Sequence, residues 1–202
     1  MSSRPNTSRA ILNTSVSEAQ GLRVYFYSQR AKINSNPTTH LKDFINGANH
    51  SLLCAIYDLE HPDILKALQS AAGKLKTNLH IVYDAGKSKS RQAGVTADPK
   101  PTKTAELIKQ YGLDQYASGV HVKGGNLMHD KFLVRDGKEV WTGSGNFTKG
   151  GLTLQDNNFL VIPSTGLASA YKDAFYGLLH PGHTLAHAPK KPKATAPASP
   201  GR

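Results

Sequence analysis

The sequence predicts an α/β domain, a mixed β-sheet sandwiched by helices. Three observations lead there. Short runs of strand-forming residues alternate with longer segments of helical periodicity. Asp136-Gly137 is a hairpin turn signal between two such runs, so at least one strand pair is antiparallel. With 202 residues there is room for one domain of about 160 residues and two tails. The expected divisions are a flexible segment 1–21, a domain 22–179 and a basic Ala/Pro/Lys-rich tail 180–202.

The elements follow in order. Residues 22–28 read as a strand, and 38–48 as a helix opening after Pro37. The apolar run 51–59 reads as a buried strand. Pro62–Leu75 reads as a helix with Asp63 in its first turn. Leu79–Asp84 is a strand, 102–111 a helix, and a strand follows near Val120. Lys131–Arg135 is apolar at its centre and reads as another buried strand, with 139–142 as its return. Residues 159–162 form the last strand. A closing amphipathic helix spans 164–179, capped by Ser164 or Thr165.

The chemistry gathers between His129 and Asn146. That stretch reads H-x-K-x4-D-x6-G-S-x-N: His129, Lys131, Asp136, Gly143, Ser144 and Asn146. Side chains alternate across a strand, so His129 and Lys131 share a face and Asp130 takes the other. A histidine serves near neutral pH as nucleophile or general acid. Lys131 is a point charge suited to phosphate oxygens. Ser144 and Asn146 can donate hydrogen bonds to the equatorial oxygens of a phosphoryl group. The flanking glycines let the backbone approach a ligand closely. This set can break a phosphodiester without a metal ion or cofactor. An isolated H-x-K is more often a sheet histidine beside a surface lysine; the full pattern is far longer.

With these residues the chain resembles the phospholipase D superfamily, whose signature is H-x-K-x4-D followed by G-S-x-N. The likeness extends to the run 51–59 with Pro62-Asp63-Ile64, to Leu127-Met128 before His129, and to the polar cluster 155–158 before the last strand. It covers about residues 23 to 179. The resemblance implies that His129 forms a phosphohistidine and that Lys131, Ser144 and Asn146 bind phosphate. Asp136 completes the catalytic signature, although its place in the alternation points to a structural part. Family members often carry a Glu shortly after Ser-x-Asn that orients the histidine. Asn157 stands about there, with Gln155, Asp156 and Asn158 as substitutes. An amide stabilises imidazolium less than a carboxylate does.

The superfamily mechanism uses two histidines, and this chain has one complete motif. His121-x-Lys123 is a second H-x-K without the residues that should follow, and His121 reads as the edge of a strand. A two-fold homodimer would supply the second histidine by sharing one site on its axis, as single-motif nucleases of the superfamily do.

The net charge of +11 is unevenly placed. The loop 85–103 holds Lys87, Lys89, Arg91, Lys100 and Lys103 against Asp98. The tail adds Lys190, Lys191, Lys193 and Arg202 with no acid. Basic segments attract polyanions, so Lys87, Lys89 and Arg91 are candidate nucleic-acid contacts. His180, His183 and His187 have ligand-like spacing, but Pro181-Gly182 and the lack of a Cys or acid argue against a metal. Cys54 is the only cysteine, so there is no internal disulfide. No apolar run is long enough to span a membrane. The N-terminus lacks the apolar stretch of a signal peptide. The expectation is therefore a cytoplasmic protein, with signal-independent secretion open. The leading function is a metal-independent endonuclease acting on DNA or RNA as a homodimer. The alternatives are a phospholipase D-type lipid hydrolase or phosphatidyl transferase, and a catalytically weak nucleic-acid binder.

Overall fold

The computed structural model describes residues 21–86, 102–122 and 126–180. The expectations for 1–20, Lys87, Lys89, Arg91, Lys123, His183, His187 and the tail lie outside them. In chain order the elements are β1 (Arg23–Ser28), β2 (Ile33–Asn34), α1 (Pro37–Asn46), β3 (Leu52–Ile56), α2 (Pro62–Leu75), β4 (Leu79–Asp84), α3 (Lys103–Gln110), β5 (Ala117–Val120), β6 (Lys131–Arg135), β7 (Glu139–Gly143), α4 (Lys149–Thr153), β8 (Asn157–Pro163) and α5 (Thr165–Leu179). Two elements were not foreseen. The pair Ile33–Asn34 is too short to show a period, and α4 contains two glycines, which disfavour a helix. Lys103, counted with the basic loop and also within the expected helix 102–111, opens α3, and Thr102 caps it by accepting from Ala105 N–H at 3.2 Å.

The strands form one sheet in the order β2-β1-β8-β7-β6-β3-β4-β5. The pairs β3–β4 and β4–β5 are parallel and the rest antiparallel, so the sheet is mixed as expected. β3 is central and all five of its residues are buried. Its alternating sides feed two cores. Cys54 and Ile56 join Leu41, Phe44 and Ile45 of α1 and Ile64, Leu65 and Leu68 of α2. Leu53 and Ala55 join Phe132, Val134, Ala168 and Phe175 on the face covered by α5. Burying an apolar side chain of this size contributes roughly 1.5–3 kcal/mol, and both faces of the sheet receive many.

The helices obey local rules. α2 opens with Pro62 after His61, whose Nδ1 accepts from Asp63 N–H at 3.3 Å. Asp63 stands in its first turn and Lys74 in its last, matching the helix dipole. Ser164 is the cap of α5, accepting from Leu167 N–H at 3.2 Å.

The β6–β7 hairpin turns at Asp136 (φ 54°) and Gly137 (φ 63°), the positive values that a type I′ turn demands. The Asp136 carboxylate accepts from the backbone N–H groups of Asn49, His50 and Ser51 at 2.7–3.1 Å, and its own N–H donates to the Ser51 carbonyl at 2.9 Å. Partial burial would raise this carboxyl. The three backbone donors outweigh burial and hold it below the ordinary carboxylate value. At the same end Arg135 pairs with Glu139, and its guanidinium lies 4.4 Å from the Phe44 ring. Glu139 also accepts from Arg23 at 3.0 Å. This end of the sheet is an anchor.

A carboxyl whose folded value is depressed stabilises the fold above its unfolded value, near pH 4. That stability is lost as the pH falls through the folded value. Asp136→Asn keeps the turn and one acceptor oxygen but removes the charge. It is expected to lose about 1–2 kcal/mol at neutral pH, and the gap from the parent should close in acid. Denaturant unfolding at both pH values checks this; a gap independent of pH would refute the charge-based account.

Candidate active site

The opposite end of the sheet collects the chemistry. Lys131 opens β6, in register with Ile56 of β3. It lies on the same face as Leu133, toward α1 and α2, and is only 7% exposed. Its Nζ donates to the His129 carbonyl at 2.9 Å and stands 5.4 Å from the centre of the Tyr57 ring. Burial pushes its pKa down, opposed by the charges of Asp58 and Asp130. The His129 imidazole is exposed and tilts against Tyr57, with ring centres 4.8 Å apart. Tyr57 N–H donates to the Asp130 carbonyl at 2.9 Å, extending the β3–β6 pairing one step past the strands. The segment before His129 is also held: buried Asp84, at the end of β4, accepts from Met128 N–H and Gly86 N–H, each at 2.7 Å.

Gly143-Ser144-Gly145-Asn146 leaves β7 at the same rim. Ser144 Oγ donates to Asn157 Oδ1 at 2.7 Å and accepts from Asn158 N–H at 3.1 Å. Asn146 Nδ2 donates to Asp58 Oδ2 at 3.2 Å, while its Oδ1 is buried without a partner. The glycines are needed for close packing. A Cβ on Gly145 would lie 2.6 Å from the Phe159 ring and 2.7 Å from the Gly151 carbonyl. A Cβ on Gly151, in the first turn of α4, would strike the Asn146 backbone. Backbone bonds tie this loop to the segment after β3: Phe147 N–H donates to the Asp58 carbonyl at 3.0 Å, and the Phe147 carbonyl accepts from Glu60 and His61.

His129, Lys131, Ser144 and Asn146 therefore stand on one rim. Asp136 does not join them. It caps the far end of β6, roughly 20 Å away at the strand rise, and its carboxylate is occupied by backbone donors. Its place in the catalytic set is thus corrected to an anchoring one. The candidates for orienting His129 also fall elsewhere. Asn157 is held by Ser144 and by the Gly151 carbonyl, to which its Nδ2 donates at 2.9 Å. Asn158 contacts Ser144 through its backbone, and exposed Gln155 turns back on Gly150 through its N–H. Among the described residues none of the three bonds the imidazole. His121 follows β5, exposed, with Nδ1 2.8 Å from the Gly86 carbonyl. It serves the loop.

Sequence reasoning missed Asp58, Tyr57 and Asp84. All three end or directly follow strands that run toward the site, which was the available signal. Burial raises the Asp58 carboxyl most, Glu60 and Asp84 add to this, and Lys131 and His129 oppose it. Asp58 therefore lies beside both His129 and Lys131 of the signature.

The arrangement defines a class: an α/β protein that presents a histidine, a buried lysine, a hydroxyl and an amide at one sheet rim, suited to phosphoryl chemistry. The comparisons then identify the family. Residues 41–179 match the family described as "Cardiolipin synthase, PLD-like domain", and the chain belongs to it, within the phospholipase D superfamily. Three solved structures share the fold. Nuc from Salmonella typhimurium, a phospholipase D family member, is 23% identical, with a TM-score of 0.58 over 78% of this chain and 93% of its own. NucT from Helicobacter pylori is 23% identical, with a TM-score of 0.59 over 78% and 94%. The phosphatidylserine synthase of Haemophilus influenzae is 15% identical, with a TM-score of 0.53 over 91% of this chain and 43% of its own. No curated protein matches the chain. Family membership supports a phosphodiesterase enzyme.

Gly151→Ala should push the Asn146 loop out of place and cost about 1–3 kcal/mol by overpacking. The neighbouring Gly150→Ala meets nothing closer than 3.6 Å and should be neutral or stabilising by up to about 1 kcal/mol. Paired denaturant titrations test the contrast, and equal effects at the two positions would contradict the packing described.

Proposed function

We propose that the protein is a metal-independent endonuclease that cleaves DNA or RNA through a phosphohistidine on His129, at a site shared across a homodimer. The observation that carries this reading is the joining of both halves of the signature on one rim. The exposed imidazole is free to attack an in-line phosphorus. Lys131 supplies fixed positive charge, held in place by its buried stem. Asn146 supplies a donor from a loop held close by its glycines, and Ser144 supplies a second once its hydroxyl turns from Asn157 to the phosphate. In the first step the imidazole nitrogen bonds phosphorus as the P–O bond to one nucleotide breaks. A second imidazole, from the two-fold partner, protonates that leaving oxygen. Water then attacks the phosphohistidine with the second imidazole as base, releasing the phosphorylated end and free His129.

Two further features support the dimer and the substrate. Large apolar side chains at Leu127 and Leu154 are exposed close in sequence to His129 and Gln155, and exposed Phe26 is paired with Asn158 of β8. A two-fold contact around the site would cover them. Both stems of the basic loop stand at the same rim: Asp84 bonds Met128, and Thr104 Oγ1 accepts from Leu59 N–H at 3.0 Å. Lys87, Lys89 and Arg91 extend from those stems in sequence and are proposed to track the phosphate backbone. The description of the matched family favours a second reading, a phosphatidyl transferase acting on lipid headgroups. Among the described residues no helix is long and apolar enough to cross a membrane.

Purified protein and His129→Ala, both in chelator, are to be offered labelled single- and double-stranded DNA, RNA and phosphatidylglycerol vesicles. Nucleic-acid cleavage by the parent, with a loss of at least about 10³-fold in the variant, is the expected result. Abolition of cleavage by chelator, or turnover of lipid alone, would overturn the nuclease reading. Light scattering should show a dimer.

A further inference from the structure

Asp58 has no part in the signature, yet it is the side chain on which the two halves of the site converge. Its Oδ2 accepts from Asn146 Nδ2 at 3.2 Å. Its charge acts on Lys131, and Lys131 and His129 in turn favour its carboxylate form. Its own main chain is fixed by Phe147 N–H at 3.0 Å, directly after Asn146. The Asn146 amide therefore cannot turn freely. With one N–H on Asp58 and its Oδ1 buried without a partner, the remaining N–H is the donor left for a ligand.

We infer that Asp58 is a positioning residue: it holds the Asn146 amide with its second N–H toward the phosphate site, and it offsets the charge of buried Lys131 when that site is empty. This rests on the phosphodiesterase reading of the rim. The arrangement assigns Asp58 a double task. A phosphate arriving between Lys131 and Asn146 takes over part of the Lys131 field, while the hydrogen bond to Asn146 keeps the donor aimed. The carboxylate form is needed for both. The titratable groups around it are Lys131 on β6, His129 before β6, Asp84 at the end of β4 and Glu60 on its own segment. Burial and the two acids favour the protonated form, whereas Lys131 and His129 favour the carboxylate. Protonation of Asp58 as the pH falls should thus contribute to the acid limb of the rate profile.

The test compares the parent with Asp58→Asn and Asp58→Ala on whichever phosphodiester the parent cleaves, with inorganic phosphate affinity measured by titration calorimetry on all three. Thermal unfolding is followed in parallel. Asp58→Ala is expected to lose about 10- to 100-fold in kcat/KM, with a parallel weakening of phosphate binding. Asp58→Asn, which keeps an acceptor for Asn146, should recover part of both losses. Its acid limb should shift to lower pH because the titrating carboxyl is gone. Activity of both variants equal to the parent across the pH range would overturn the assignment. So would an unchanged acid limb in Asp58→Asn, or losses that follow only a lowered Tm. If the parent binds phosphate but cleaves no diester, the enzymatic reading fails and the ratio of phosphate affinities still decides the role of Asp58. If it neither binds nor cleaves, both fail.

Discussion

The burial of Lys131 is the constraint on which the active rim depends. An ammonium drawn to 7% exposure at the head of a core strand needs partners that bulk water no longer supplies. The His129 carbonyl, the Tyr57 ring and the Asp58 charge provide them. Each partner is placed by the sheet: Tyr57 and Asp58 because β3 runs antiparallel to β6 and ends beside its start, His129 because it precedes Lys131 on the same strand path. Satisfying the lysine thus orders the residues around the histidine. Asn146 then follows, because its amide is bonded to the same Asp58.

The signature H-x-K-x4-D looks like one chemical unit on paper, but the structure divides it between two ends of a strand. One end holds an exposed imidazole and a buried cation. The other holds a carboxylate that receives three backbone donors from the residues before β3. These tasks differ in kind. Asp136 fixes how β6 and β7 meet β3, and with Arg135 and Glu139 it ties β1 and α1 to the same corner. The chemistry at the near end relies on that registration, since a slip of one residue would reverse the facing of every side chain on β6. Residues of one motif can therefore stand at opposite ends of a strand with different surroundings.

The glycines of the second half show how little room the rim leaves. Gly145 and Gly151 pack backbone against ring and backbone against backbone, which brings the Ser144–Asn146 loop down onto β8 and α4. Hydrogen bonds from Ser144 to Asn157 and from Asn157 to the Gly151 carbonyl then close a small network. Asn157 is spent on this network. An amide fits this place: its carbonyl accepts from the serine and its NH2 donates to the Gly151 carbonyl, a pairing that a carboxylate could not complete.

Much of this was legible in the chain. Periodicity found Pro62–Leu75, Leu79–Asp84 and Lys131–Arg135 with their observed bounds, because each is long or apolar enough to display its period. The motif found His129, Lys131, Ser144 and Asn146, and strand alternation already hinted that Asp136 stood apart. The two-residue β2 and the glycine-bearing α4 escaped, since neither carries a pattern of its own. Asp58 and Asp84 escaped for a different reason. Their importance comes from neighbours 88 and 44 residues away, and the spacing of residues along a chain says nothing about which strand ends will meet. The sequence by itself determined most of the elements and the motif residues that meet at one rim, because those are local properties of residue type and period. Only the tertiary structure decided which carboxylate lies beside the motif residues and which anchors the far end of the strand. That choice depends on strand order and direction, and it is made when non-local pairing brings one end of β6 to Asp58 and the other to the backbone of residues 49–51.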